Sequence, residues 1–273
     1  MGRLDGRVAI ITGAGRGIGV AYATALAAEG AQIVATDILD TENTVNIIKQ
    51  AGGEAIGLQC DVTDPDAVHS MVAQSIQAFG KVDIMVTNAA IFADLQQKPF
   101  MEIDEAEWDR VMQVNTRGVF TCVKAIVPEM RKNGYGKIVN IASGTVFKGT
   151  PMMLHYVSSK GAMVAFTRAL AREVGDDGIC VNALAPGLTM SEKVMADEQW
   201  KAIQGGNAAT RAIKRDELPE DLVGAMLFLC SSDSDFVTGQ TMVVDGGSVM
   251  HQRGALPPFS IPYAIRGRCV RLD

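Results

Sequence analysis

Val8-Ala-Ile-Ile-Thr12-Gly13-Ala-Gly15-Arg-Gly17-Ile-Gly19 decides how the rest of the chain is read. An apolar, β-type run enters a glycine-rich turn, and Ile18 opens a stretch with helical spacing. Glycines let a backbone turn tightly and approach a pyrophosphate, whose charge then rests on the N-terminus of the following helix. The spacing is not GxGxxG, because Ile18 stands where the last glycine would be. Gly13, Gly17 and Gly19 instead form GxxxGxG, preceded by Thr12. A glycine-rich turn alone marks only a tight loop; its place between a first strand and a first helix gives this one meaning.

Outward from that turn the pattern alternates. Strand-like runs lie at Val8-Ile11, Ile33-Thr36, Ala55-Gln59, Ile84-Thr87, Lys137-Ile141, Ile179-Leu184 and Thr241-Val244. Helical spacing fills 17–29, 41–51, 64–79, 104–131, 155–174 and 219–231. Thr63-Asp64-Pro65 and Leu218-Pro219-Glu220 read as helix starts, and Gly30, Gly52 and Gly80 follow helix ends. Such alternation predicts right-handed βαβ units around a parallel sheet, and the nearly unbroken apolar strands predict burial on both faces. The expected fold is therefore α/β: one doubly wound, Rossmann-type domain over residues 1–249, with about seven strands and helices on both faces. Residues 187–217 interrupt the pattern as a less regular insertion, read as a substrate lid. Residues 250–273 form a tail carrying Arg253, Arg266, Arg268 and Arg271, read either as an extension without structure or as a segment at a subunit boundary.

Composition narrows the function. Apolar content of 48%, with 21% charged residues, is ordinary for a soluble globular protein. A net charge of −6 argues against nucleic acid and anionic membrane as partners. No run of 18 apolar residues is present, and the first strand begins too early for a signal peptide. Five scattered cysteines and three histidines point to neither a disulfide framework nor a metal site. The expectation is a reduced, cytoplasmic, metal-free protein, with Cys122 and Cys180 in its core.

Two further features carry chemistry. Asp37 closes the second strand, where a carboxylate can accept hydrogen bonds from adenosine ribose hydroxyls and repel a 2′-phosphate. Tyr156 and Lys160 stand at i and i+4, on one face of a helix. A cation near a phenol stabilises the phenolate, and this lowers a pKa that is ordinarily about 10.

With Thr12-Gly13-Ala-Gly-Arg-Gly17-Ile-Gly19, Asn88-Ala-Ala90, Asn115, Ser143, Tyr156-x-x-x-Lys160 and Pro186-Gly187 in this order, the chain resembles the short-chain dehydrogenase/reductase family from about residue 5 to 250. The resemblance implies a catalytic set of Asn115, Ser143, Tyr156 and Lys160. Tyr156 would act as general acid or base, Lys160 would lower its pKa and hold the nicotinamide ribose, and Ser143 would hold the reacting oxygen. Asn115 would bind a water linking Lys160 to solvent. On the cofactor side it implies Gly13, Arg16, Gly17, Ile18, Gly19, Asp37, Asp61, Val62, Asn88, Ala89, Pro186, Gly187 and Thr189, besides Tyr156 and Lys160. Thr189 would meet the nicotinamide carboxamide. Ala90 stands where the family usually has glycine. Asp37, with no arginine after it, favours NAD, although Arg16 pulls towards NADP.

The substrate is read from Phe92, Ser143, Thr145, Phe147, Met153, Met190 and Trp200. These mostly apolar residues point to a secondary alcohol or ketone with an apolar or aromatic body, and Lys148 and Lys193 are read as solvated. The alternatives are an NADP-dependent carbonyl or 3-oxoacyl reductase, and a cofactor-binding sensor without turnover. The resemblance also implies a homotetramer or homodimer.

Overall fold

The computed structural model describes residues 2–250, so the expected tail lies outside the described residues from 251 onwards. Along the chain, β1 (Val8–Thr12), α1 (Ile18–Ala28), β2 (Gln32–Asp37), α2 (Glu42–Gln50), β3 (Ala55–Gln59), α3 (Pro65–Phe79) and β4 (Ile84–Thr87) form the first half. The second half contains α4 (Glu105–Met112), α5 (Gly118–Asn133), β5 (Gly136–Ile141), α6 (Thr145–Lys148), α7 (Leu154–Val174), β6 (Ile179–Pro186), α8 (Glu192–Ala196), α9 (Glu198–Thr210), α10 (Val223–Cys230) and β7 (Thr241–Val244). The seven strands make one parallel sheet in the order β3-β2-β1-β4-β5-β6-β7. This is the predicted doubly wound architecture.

Alternate residues of a strand face opposite sides of the sheet. Val8 and Ile10 therefore join Val68, Met71 and Ile126 on one face, while Ala9 and Ile11 join Tyr22, Leu26 and Met226 on the other. Both sets are apolar, which is why the sequence shows an unbroken run and no alternation. The helix signals act as expected at α3: the Asp64 carboxylate accepts from the Asp66 and Ala67 amides, Pro65 occupies the first turn, and Gly80 closes the helix at φ 82°.

One prediction needs correction. The stretch 104–131 is not a single helix: α4 and α5 are joined by a π turn, Gln113–Arg117. Apolar spacing runs on through the joint, so periodicity alone cannot reveal it. The extra residue of a π turn displaces the helix face locally, and Asn115 is the buried residue at that point. Cys180 also departs from expectation: it is only partly buried, with its thiol against the Asp235 carbonyl.

The strand order reverses between β1 and β4, where successive crossovers leave in opposite directions and open a crevice at the carboxyl ends of the strands.

Candidate active site

A cavity of about 640 Å³ occupies that crevice, and every residue assigned from the sequence to the cofactor side lines it. Its floor is the glycine turn. Gly17 has φ 60° and precedes α1 without any side-chain cap, and no acid stands in the first turn of α1. The helix start thus offers unclaimed N–H groups and a positive dipole end, which fits an anionic pyrophosphate. Gly19 is set by packing: a Cβ there would fall 2.0 Å from the Gly13 carbonyl oxygen.

Asn88, at the end of β4, braces the turn by donating to the Thr12 and Gly13 carbonyls, both at 3.0 Å. The Thr12 hydroxyl in return accepts from the Asn88 and Ala89 amides. Ala90 needs no glycine, since Met152 is the only non-glycine residue with positive φ among those described. Asp37 accepts from the Gly15 amide at 2.9 Å and the Leu39 amide at 3.0 Å, so its carboxylate is held at the cavity rim. Arg16 faces Asp94 at 3.8 Å, and Lys193 of α8 binds the same carboxylate from the far side of the crevice. Asp61 is turned to its own loop, accepting from the Thr63 amide and hydroxyl.

Ser143, Tyr156 and Lys160 meet at the inner end of the cavity, and all three are buried. Burial pushes the Tyr156 phenol up to about 12, with Ser143 pulling the other way, and burial lowers the Lys160 ammonium to about 8. The sequence argument expected the lysine to depress the phenol. In the chain by itself desolvation dominates, because the Lys160 Nζ sits 5.8 Å from the Tyr156 ring centroid and donates to the Ile141 carbonyl at 2.8 Å. Ser143 Oγ accepts from the Thr145 amide at 3.2 Å and the Thr145 hydroxyl at 3.0 Å.

Asn115 is fully buried behind the cavity. Its Oδ1 accepts from the Ile91 amide at 2.8 Å, and its Nδ2 donates to the Ile91 carbonyl and the Ser159 hydroxyl, each at 3.1 Å. The Ser159 hydroxyl donates in turn to the Tyr156 carbonyl. The π turn therefore ties the loop after β4 to the helix that carries Tyr156. His155, next to Tyr156, points elsewhere, to Glu107 at 3.0 Å.

On the substrate side, Phe92, Ser143, Thr145, Met153 and Trp200 line the cavity. Phe92 lies between Tyr156 and Trp200 in tilted ring contacts, with centroids 5.0 and 4.7 Å away, and Trp200 Nε1 donates to the Ala93 carbonyl. Two expected pocket residues do not line it. Phe147 lies on the outer side of the single-turn α6 and is exposed, while Met190 is buried in the apolar cluster behind the wall. On so short a helix, sequence spacing cannot tell the inward face from the outward one. Lys148, read as solvated, lines the cavity, where desolvation lowers its pKa. Lys193 is held by Asp94.

Sequence reasoning missed a buried pair, Arg211 and Glu217. Thr189 donates to Glu217 Oε1 at 2.7 Å, and Arg211 donates to the Leu188 carbonyl at 2.8 Å. The 187–217 insertion, expected to be less regular, is mostly the helices α8 and α9; both charged residues lie past the end of α9, where no periodicity marks a position as buried. Desolvation raises the Glu217 carboxyl, against the Thr189 hydrogen bond and the Arg211 charge. Among the described residues no group of three or more His, Cys, Asp or Glu side chains gathers as metal ligands would.

A family model described as enoyl-(acyl carrier protein) reductase matches residues 13–249. The (2S)-[(R)-hydroxy(phenyl)methyl]succinyl-CoA dehydrogenase subunit BbsD of Thauera aromatica is 38% identical over 89% of this chain and 97% of its own length. The 3-oxoacyl-[acyl-carrier-protein] reductase FabG of Thermotoga maritima is 35% identical over 91% of this chain and 100% of its own. A crystal structure of a short-chain type dehydrogenase/reductase from Mycobacterium marinum superposes with a TM-score of 0.84 at 32% identity, covering 91% of this chain and 97% of that one.

Proposed function

Because the chain belongs to the short-chain dehydrogenase/reductase family, we propose that it interconverts a secondary alcohol and a ketone with an apolar or aromatic body, preferring NAD. The observation that carries this reading is the meeting of Ser143, Tyr156 and Lys160 at the inner end of a cavity whose other end is the glycine turn and Asp37.

A nicotinamide cofactor held by the glycine turn, Asp37 and Lys160 would supply the hydride acceptor for oxidation and the donor for reduction. The chain's own residues handle the proton and the oxygen. Ser143 Oγ already accepts two hydrogen bonds from Thr145, so both lone-pair directions are engaged and its own O–H remains to be donated. That donor is aimed where negative charge develops on the reacting oxygen. As phenolate, Tyr156 would take the hydroxyl proton in oxidation; as phenol, it would give that proton back in reduction. Lys160, fixed to the Ile141 carbonyl with its Nζ 5.8 Å from the Tyr156 ring centroid, would hold the nicotinamide ribose. Asn115 holds Ile91 and Ser159 in place, and its role in a water relay to Lys160 belongs to the same proposal. Phe92, Trp200 and Met153 exclude water from the reacting carbon and give an apolar substrate its wall.

The NAD preference rests on Asp37, whose carboxylate is pinned by two backbone amides and would oppose a 2′-phosphate. Arg16 is drawn to Asp94 and so is directed away from that phosphate. The relative BbsD is named for a benzylic secondary alcohol, which supports the aromatic reading. The relative FabG supports the rival, an NADP-linked 3-oxoacyl reductase. No helix among the described residues is long and apolar enough to cross a membrane. A cytoplasmic homotetramer or homodimer completes the proposal, and the exposed Phe120 and Phe236 offer apolar surface for self-association.

The test is a panel of aryl and alkyl secondary alcohols, sugars and 3-oxoacyl thioesters with both cofactors, followed by nicotinamide absorbance. Aryl or alkyl alcohol turnover with NAD, abolished by Tyr156→Phe, is expected. Turnover confined to sugars or to NADPH would reject the substrate or cofactor assignment, and full activity in Tyr156→Phe would reject the mechanism.

A further inference from the structure

Residues 187–190 leave β6 and pass along the cavity towards α8, and a single buried ion pair grips them. The Met190 amide donates to the Glu217 carbonyl at 2.7 Å, and Thr189 and Glu217 form an isolated parallel bridge. The Thr189 hydroxyl donates to Glu217 Oε1 at 2.7 Å. Arg211 Nη2 donates to the Leu188 carbonyl at 2.8 Å and faces Glu217 Oε2 at 3.6 Å, while its Nη1 holds the Arg215 carbonyl. A Cβ on Gly187 would come within 2.6 Å of Glu217 Oε2, so the carboxylate presses directly against the backbone.

Arg211 and Glu217 are 2% and 4% exposed, and Arg211 Nε and Glu217 Oε2 have no hydrogen-bond partner. Removing two charges from water costs several kcal/mol per ion, offset only where the geometry and the remaining hydrogen bonds are good. At 3.6 Å with two orphaned atoms, this pair is a poor stabiliser. What it does is specify one arrangement of the four residues beside the inner end of the cavity.

The hydroxyl of Thr189 is the informative atom. A threonine hydroxyl carries one donor and two acceptor positions. A carboxylate can only accept, so Glu217 claims the hydroxyl proton and leaves the oxygen able to accept alone. A carboxamide has both an NH₂ donor and a carbonyl acceptor, and only its NH₂ suits such an oxygen.

We propose that Glu217, held by Arg211, is a positioning residue for the nicotinamide: it fixes the polarity of the Thr189 hydroxyl so that the cavity selects the carboxamide NH₂ and thereby one orientation of the ring. This rests on the dinucleotide reading above. Glu217 touches neither cofactor nor substrate and acts through Thr189.

The experiment measures dissociation constants of the full-length chain for NADH and for ADP-ribose, which lacks the nicotinamide, by calorimetry. Thr189→Val, which removes the acceptor, should weaken NADH about tenfold, the worth of one good hydrogen bond, and leave ADP-ribose within about twofold. Replacing the pair with apolar residues of similar volume, Arg211→Met with Glu217→Leu, leaves a hydroxyl that must reorient and should weaken NADH about threefold; the triple variant should match Thr189→Val. Glu217→Gln, which keeps an acceptor for Thr189, should restore most of the affinity. Unchanged NADH affinity in either Arg211→Met/Glu217→Leu or Thr189→Val, or equal weakening of NADH and ADP-ribose, overturns the proposal. If the double variant does not fold, Glu217→Gln and Thr189→Val alone decide: full affinity in Thr189→Val overturns it. A wild-type chain that binds neither NADH nor NADPH overturns the dinucleotide reading itself.

Discussion

Replacing Lys160 with methionine should make the protein more stable at neutral pH while stopping turnover. Burial lowers the Lys160 pKa from 10.5 to about 8, which at about 1.4 kcal/mol per unit corresponds to roughly 3 kcal/mol. Below pH 8 the lysine is charged in both folded and unfolded chains, and the whole desolvation penalty weighs on the fold. Between pH 8 and 10.5 the folded chain has released the proton and the unfolded chain still holds it, so the penalty fades as pH rises. Above 10.5 both states are neutral and it is gone. Methionine removes the charge at every pH but leaves the Ile141 carbonyl without its 2.8 Å partner, a loss of about 1 kcal/mol. Lys160→Met should therefore gain about 2 kcal/mol at pH 7, an increase in Tm of several degrees for a domain of this size. Near pH 10.5 it should be less stable than the wild type by about 1 kcal/mol. Urea unfolding of both chains at pH 7, 9 and 10.5 measures the difference directly. A stability difference that stays constant across this range would refute the assignment of a buried, destabilised ammonium. Turnover should fall by at least about a hundredfold, the lower range for loss of acid–base support.

Other expectations follow from single contacts. Thr145→Val removes a hydroxyl donor to Ser143 Oγ; kcat should fall about tenfold with the NADH dissociation constant unchanged, since a loss of about 1.4 kcal/mol from the reacting oxygen's donor touches no cofactor group. Trp200→Phe should abolish most of the intrinsic fluorescence change on adding an aromatic ketone, because Trp200 is the buried tryptophan against Phe92 at the cavity wall. In Gly118→Ala the new methyl would meet Val62 Cγ2 at 2.7 Å. Overpacking of about 1–3 kcal/mol should outweigh the roughly 1 kcal/mol helix-propensity gain; the expected results are a lower urea midpoint and weaker ADP-ribose binding, as Val62 is pushed into the cavity.

The frame was legible because it is made of signals that repeat locally. Unbroken apolar strands, the Asp64-Pro65 start and the Gly80 stop each act within a few residues, and their joint pattern admits one architecture. Of the residues around the inner end of the cavity, spacing put Tyr156 and Lys160 on one helix face, and the family resemblance supplied Ser143; the fold brings the three together. What escaped depends on contacts between distant segments. Asn115 was named from the family resemblance, but helical spacing showed neither the π turn that carries it nor the Ile91 backbone it binds. Phe147 and Met190 were apolar and near the site in sequence, yet one faces solvent and the other the core. The depression of the Tyr156 phenol expected from a neighbouring lysine failed because spacing conveys direction but not dielectric; burial outweighs a cation that is itself desolvated.

Two hydroxyls in this cavity have had their polarity decided by a neighbour, and in opposite senses. Ser143 receives two hydrogen bonds from Thr145 and is left to donate; Thr189 gives its proton to Glu217 and is left to accept. A freely rotating hydroxyl would have to reorient when a ligand arrived, and preorganised donors and acceptors avoid that reorganisation at the moment of reaction. Thr145 opens α6, four residues past the end of β5, and Glu217 is bridged to the segment after β6, so both neighbours sit close to strand ends. The wall formed by Phe92 and Trp200 is built differently, from tilted ring contacts that alternative side chains could satisfy. In the proposed roles, the two hydroxyls that would direct proton and carboxamide are set by specific hydrogen bonds, and the apolar wall beside them is set by packing.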